Sequence, residues 1–253
     1  MIRIFIIGGG RLAENLVEAF KNTDSVISGI YARSPDQLKK IVQENNIAGF
    51  NDLESIPTDC DVYFIAVSDK SIELVSKQIN PNGLVVHCSG VLPIGALNKH
   101  LNVGVFWPIQ TLSLNKKIDF QNVPICIESN SENNRKLLVK LASKISSKSV
   151  VVNSEERRKL HLSAVLVNNF SNHLYVLAKQ YLEENELSFD LLKPLILQTT
   201  ENALEKDPTL VQTGPASRKD FGTITNHETL LIDHPELLNI YKSLTQSILH
   251  QSN

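Results

Sequence analysis

Gly8-Gly9-Gly10-Arg11-Leu12-Ala13 follows the apolar run Ile2 to Ile7 and precedes apolar residues at helical spacing. This is G-x-G-x-x-A between a strand and a helix, an arrangement suited to a dinucleotide pyrophosphate. Gly8 permits the tight turn, Gly10 lets a phosphate approach the backbone, and Ala13 lets helix and strand pack closely. The helix that opens with Arg11 and Leu12 offers free N–H groups and the positive end of its dipole to the anion. The expected cofactor is NADP(H). The second strand ends Gly29-Ile30-Tyr31-Ala32-Arg33-Ser34, with no Asp or Glu where a ribose diol would be held. Arg33, with the Ser34 hydroxyl beside it, suits a 2′-phosphate. Arg11 suits that phosphate or the pyrophosphate. Arg33 as a solvated surface charge is the alternative.

Ligands of open α/β sheets sit at the carboxyl ends of strands. Val67 and Ser68 follow one predicted strand and suit a cofactor ribose; Asp69 either joins them or caps the next helix. Ser89 and Gly90 follow another, placed for the nicotinamide. His87 falls inside that strand and reads as a satisfied sheet residue rather than a base. Trp107-Pro108-Ile109-Gln110-Thr111 either walls a substrate pocket or packs a domain junction. Farther on, Asn168, Asn169 and Asn172 cluster on a helix although Asn is a poor helix former. The segment Asp207 to His227 reads as a polar loop. Within it Gly214-Pro215 fixes a turn, and Thr223 and His227 are further polar candidates. Arg218 and Asp220 either pair with each other or leave Arg218 to hold a substrate carboxylate.

The elements that must position these residues fall into two halves. Strands are expected at Ile2–Ile7, Val26–Tyr31, Val62–Val67, Leu84–His87, Gly104–Phe106 and Val123–Ile127, alternating with helices at Arg11–Phe20, Ser34–Glu44 and Ile72–Ile79. Ser34 caps the second helix, with Pro35 at its first position. The second half reads as helices: Glu155–Glu184 without interruption, then Phe189–Glu205 and Pro235–Leu249. Leu160, Ala164, Val167, Leu174, Leu177 and Ala178 form an expected buried stripe. The predicted class is α/β: residues 1–153 a doubly wound, mostly parallel dinucleotide-binding domain, residues 154–253 an all-helical substrate and dimerisation domain.

With 42% hydrophobic and 21% charged residues, the 253-residue chain has the composition of a globular protein. A net charge of −2 argues against a nucleic-acid partner. The three scattered cysteines form no CxxC pair, which argues against disulfides and structural zinc and for a reducing, cytoplasmic setting. No stretch approaches a membrane span.

The glycine turn, Tyr31-Ala32-Arg33-Ser34 and Val67-Ser68-Asp69 resemble pyrroline-5-carboxylate reductases, β-hydroxyacid dehydrogenases and deazaflavin-dependent NADP reductases. His161-Leu162-Ser163-Ala164-Val165-Leu166-Val167-Asn168-Asn169-Phe170 and Gln212 to Asp220 resemble a narrower group: Rossmann-type oxidoreductases with a C-terminal domain of unknown function, the 2520 type. The resemblance covers the whole chain. It implies a C-terminal domain like that of 6-phosphogluconate dehydrogenase, a homodimer, and a site in the cleft between domains. In the hydroxyacid dehydrogenases the first long C-terminal helix carries a proton-donating Lys and substrate-binding Asn. Here His161 takes the Lys place by spacing, with Val165 one turn on and Asn169 two turns on. The implied function is hydride transfer between NADP(H) and a small carbonyl, imine or hydroxy compound. His161 moves the proton, Asn169 and Arg218 hold substrate, and Asp220 orients His161 if the two meet. Alternatives are a domain-interface role for His161, a non-catalytic NADP(H) sensor or partner-binding module, and use of NAD or deazaflavin.

Overall fold

A computed structural model describes residues 1–112 and 118–251. Its strands are β1 (Arg3–Ile7), β2 (Val26–Tyr31), β3 (Gly49–Phe50), β4 (Val62–Ile65), β5 (Leu84–His87), β6 (Val103–Pro108), β7 (Ile125–Ser129) and β8 (Ser149–Val151). They form one sheet in the order β3-β2-β1-β4-β5-β6-β7-β8. Neighbours pair in parallel, except antiparallel β6 and β7. The chain winds outward in both directions from β1 and β4. That is the doubly wound Rossmann order, and its reversal leaves a crevice at the carboxyl ends of the two central strands.

Helices α1 (Arg11–Lys21), α2 (Pro35–Asn45), α3 (Asp69–Gln78) and α4 (Glu132–Ile145) belong to this unit. Side chains alternate across a strand. Ile4 and Ile6 therefore enter one apolar cluster and Phe5 and Ile7 another, and all four are fully buried. The first cluster is centred on Phe20, Phe64 and Phe106, with ring centroids 5.2–6.3 Å apart. The hydroxyl of Ser34 caps α2, accepting from the Gln37 N–H, with Pro35 in the first turn. The stretch between Ile127 and Val150, given no element above, folds as α4. Its polar start Ser131-Glu132-Asn133-Asn134 looks like a loop, yet the Ser131 hydroxyl is its cap.

α5 (Ser154–Ala164) opens on a capping box: the Asn153 side chain accepts from Glu155 and Glu156, and Glu156 accepts from the Asn153 N–H. A π turn, Val165–Phe170, lies within the helical run expected from Glu155 to Glu184, and α6 (Ser171–Glu184) continues it. Next come α7 (Lys193–Glu205), α8 (Phe221–Leu230) and α9 (Pro235–Gln251). α8 starts inside the stretch predicted as loop. Its Thr, Gly and Asn content hides it, and Asp220 nucleates it by accepting the Thr223 N–H. Two compact units divide at Asn169/Phe170, whereas the expected division after Asn153 falls at the cap of α5. In the second unit only Ala216, Ile224, Leu231 and Thr245 are buried among the described residues. The stripe predicted as buried is only partly covered in the single chain: Leu160, Val167 and Leu174 are exposed, and Ala164, Leu177 and Ala178 are half-buried. Among the described residues no helix is long and apolar enough to cross a membrane. Nor does any group of three His, Cys, Asp or Glu stand together to hold a metal. Cys60, Cys88 and Cys126 are free and buried.

His87, the last residue of β5, is fully buried. Its Nδ1 accepts the Ser89 N–H at 3.2 Å, which leaves Nε2–H to donate to the Pro93 carbonyl at 3.3 Å. Burial, reinforced by the Arg157 charge, lowers its pKa from the ordinary 6.5 to about 4. Folding therefore favours the neutral ring. Its stabilisation is complete above pH 6.5 and is lost as pH falls through 4. The shift corresponds to about 3 kcal/mol. We expect His87→Gln to flatten the acid limb: thermal melts from pH 8 to 4.5 should show the wild type losing more stability below pH 6.5 than the variant. Parallel curves would refute this.

Candidate active site

The glycine turn lies where β1, β2 and β4 end. Gly8 has φ +142° and donates its N–H to the Tyr31 carbonyl at 2.8 Å. A Cβ there would strike the Ala66 carbonyl, and one on Gly9 would stand 2.8 Å from Ala32 Cβ. Gly10 differs: a Cβ built on it meets nothing within 4 Å. It is the N-cap of α1, and no side chain caps that helix. The first-turn amides thus have no side-chain cap, and the space beside Gly10 is open, a cradle that fits an anion. Leu12 is half-buried against the sheet, and Arg11 is exposed, donating Nη1 to the Leu112 carbonyl at 2.9 Å.

Ala32 is buried and brings no carboxylate to the end of β2, and Arg33 and Ser34 follow it exposed. At the end of β4, Val67 is half-buried and Ser68 exposed. Ser68 is the N-cap of α3, its hydroxyl 3.0 Å from that of Ser71. Asp69, read as a possible cap, is instead the first helical residue. These donors and open faces fit a dinucleotide.

At the end of β5 the buried Ser89 hydroxyl accepts from the Val91 and Leu92 N–H groups at 3.1 and 3.0 Å, curling the chain around Gly90. Gly90 is where the later strands and α5 meet. A Cβ on it would lie 2.5 Å from His161 Cδ2 and 2.7 Å from Trp107 Cε2. Trp107 and His161 face each other with centroids 5.7 Å apart and planes tilted 42°. His161 is half-buried, so the sequence-predicted Gly90 and His161 meet, walled by Trp107.

Asn169 is exposed in the π turn. In an unbroken α-helix eight residues sweep about 80° past a full number of turns, which would set it well off the His161 face. A π turn absorbs one extra residue. Asn169 then takes the place of a seventh residue, within about 20° of His161. The π turn is thus the element that decides how far Asn169 stands from the His161 face.

In the second unit Arg218 is exposed on the turn opened by Gly214, whose φ is +106°. Asp220 is committed to α8: its oxygens accept the Thr223 N–H at 3.1 Å and hydroxyl at 2.7 Å. Those bonds hold its carboxyl below the usual range. No ion pair between Arg218 and Asp220 forms among the described contacts. His227 belongs to α8 and bonds the Tyr241 hydroxyl at 3.0 Å. Two residues not singled out in the sequence, Arg157 and Glu128, form a buried ion pair beside the Gly90 loop. Their signal would have been an Arg four residues before His161 on an otherwise polar helix.

Residues 2–88 match the oxidoreductase family with an NAD-binding Rossmann fold, and residues 123–248 match the domain of unknown function DUF2520. No curated protein matches the chain. Among solved structures, a candidate NADP oxidoreductase of Bacteroides fragilis is 32% identical over 98% of both chains, with a TM-score of 0.88. A Thermotoga maritima protein is 22% identical over 98% of both, with a TM-score of 0.78. A 1-pyrroline-5-carboxylate reductase of Streptococcus pyogenes shares the fold at 14% identity, covering 99% of this chain and 98% of its own, with a TM-score of 0.64. On the doubly wound sheet, the glycine turn and the match along nearly its whole length, the chain belongs to the family of oxidoreductases that join an NAD(P)-binding Rossmann domain to a C-terminal DUF2520 domain.

Proposed function

We propose that this oxidoreductase works with NADP(H) on a small carbonyl or imine, or runs the reverse oxidation of a hydroxy compound or amine. The observation that carries the reading is the meeting of His161, Trp107 and Gly90 at the same sheet edge as the open Gly10 turn. Gly8, Gly10, Arg11 and Leu12 would hold the pyrophosphate, Arg33 and Ser34 the 2′-phosphate, and Val67, Ser68, Ser89 and Gly90 the remainder. When bound, the nicotinamide supplies or accepts the hydride. An imidazole nitrogen of His161 gives the proton to the forming alkoxide or amine, or takes it in reverse. Trp107 walls the ring and keeps water from one side of it. The Asn169 amide orients substrate. On the second unit, taken by itself, the exposed Arg218 has the bidentate guanidinium that suits a carboxylate, and Asp220 sets the start of α8 beside it.

The second unit exposes Leu195 (62%), Leu197, Leu204 (82%) and Phe221, more apolar surface than a helical unit normally leaves to water. This supports a homodimer, which sedimentation equilibrium at micromolar concentration tests; a monomer would remove it. Three buried free thiols suit a reducing compartment such as the cytoplasm.

Titration with NADPH and NADH, followed by nicotinamide fluorescence, is expected to show preference for NADPH. Arg33→Ala should weaken NADPH alone, by about 1.5–3 kcal/mol, the worth of a hydrogen bond to a charged group. Gly10→Ala should weaken both cofactors while leaving the melting temperature unchanged, because its Cβ enters space the fold leaves empty. Equal binding of both cofactors by the wild type would end the 2′-phosphate assignment. With a turned-over substrate from a carbonyl and imine screen, His161→Ala should abolish turnover and keep cofactor binding. Asn169→Ala should cost roughly 0.5–1.5 kcal/mol in kcat/KM, as loss of one hydrogen bond does, and Asn168→Ala almost nothing. The opposite order would refute the π-turn register.

A further inference from the structure

We propose that Arg157 is a positioning residue that sets the His161 ring against Gly90. Ser154, Arg157 and His161 lie three and four residues apart, on one face of α5. The chain leaving β5 runs past that face in the opposite sense and meets it at three rungs. The Ser154 hydroxyl accepts the Ile94 N–H at 3.1 Å. The Arg157 guanidinium donates to the Leu92 carbonyl. The His161 ring rests on Gly90.

The middle rung carries the charge. Arg157 is fully buried, and its other terminal nitrogen pairs with the Glu128 carboxylate on β7. The Ser154 hydroxyl stands 2.9 Å from both Glu128 oxygens. Arg157 Nε is buried with no partner among the described atoms, a cost the fold accepts for the two outer contacts. A buried ion pair adds little net stability over apolar residues of the same volume. What the planar fork adds is direction: it reaches a carboxylate and a carbonyl at once, at a fixed angle, which an ammonium cannot. Leu92 is thereby fixed to the sheet through Glu128. Gly90 is fixed with it, because the Ser89 hydroxyl holds the Val91 and Leu92 amides between them.

The catalytic consequence rests on His161 as proton donor, but the contact can be read without any substrate. Trp107 is the single tryptophan of the chain, so its emission reports this one place. A ring in contact quenches it, and His161→Ala is expected to raise emission about twofold in the wild-type background, the first arm of a double-mutant cycle. Arg157→Lys keeps the charge and loses the fork. In an Arg157→Lys protein that keeps its far-ultraviolet dichroism and cooperative melt, the same His161→Ala change should leave emission unaltered. A merely structural ion pair would leave the full increment in place, and that result overturns the proposal. So does an absence of any increment in the wild type. Should Arg157→Lys fail to fold, Ser154→Ala removes the neighbouring rung: a reduced increment supports the assignment and an undiminished one overturns it. A screen that finds no turnover would remove the catalytic reading of His161 and leave this result standing.

Discussion

Parallel pairing is the constraint on which the candidate site depends. β1, β2, β4, β5 and β6 all point the same way, so Gly8, Arg33, Ser68, Gly90 and Trp107 gather at one edge of the sheet although nearly a hundred positions separate the first from the last. Each crossover returns the chain to the far edge before the next strand begins. The winding reverses between β1 and β4, so the turns at their ends are not crowded by a shared connection. Burial on both faces demands continuous apolar strands. Polar chemistry is thereby confined to the residues just past the strands, and His87, at the limit of β5, is held neutral.

α5 shows how weakly hydrophobicity marks a functional helix. Its buried residue is an arginine, and its other anchors are a serine and a histidine. The second unit inverts this pattern, leaving leucines and a phenylalanine in solvent and burying few side chains. In the first unit, polar groups set direction within a well-filled apolar frame. The second unit has yet to satisfy its apolar surface within one chain.

The sheet was largely legible because buried parallel strands write themselves as uninterrupted apolar runs and because Gly8, Ser34 and Pro35 have local jobs. The two-residue β3 has no such signal, and the Val150–Val152 run at β8 is too short to mark a strand alone; their pairing is decided by neighbours. α4 and α8 were hidden by polar or Thr- and Gly-rich starts whose helicity comes from caps at Ser131 and Asp220. The glycine turn and the His161 position could be named from spacing. The contact of His161 with Gly90 and Trp107 joins residues more than fifty positions apart, and the Arg157–Glu128 pair is likewise long-range, so neither leaves a mark in the local pattern.

The π turn also bears on how relatives should be compared. A helix with one residue more than its turns require keeps the same face with a different count. A relative whose helix is regular would carry its equivalent of Asn169 seven residues after its equivalent of His161, not eight. Matching such chains position by position would pair Asn169 with the wrong residue and shift every later helical residue with it. The gap belongs inside Val165–Phe170, and ancestry there is better traced by facing direction than by sequence number.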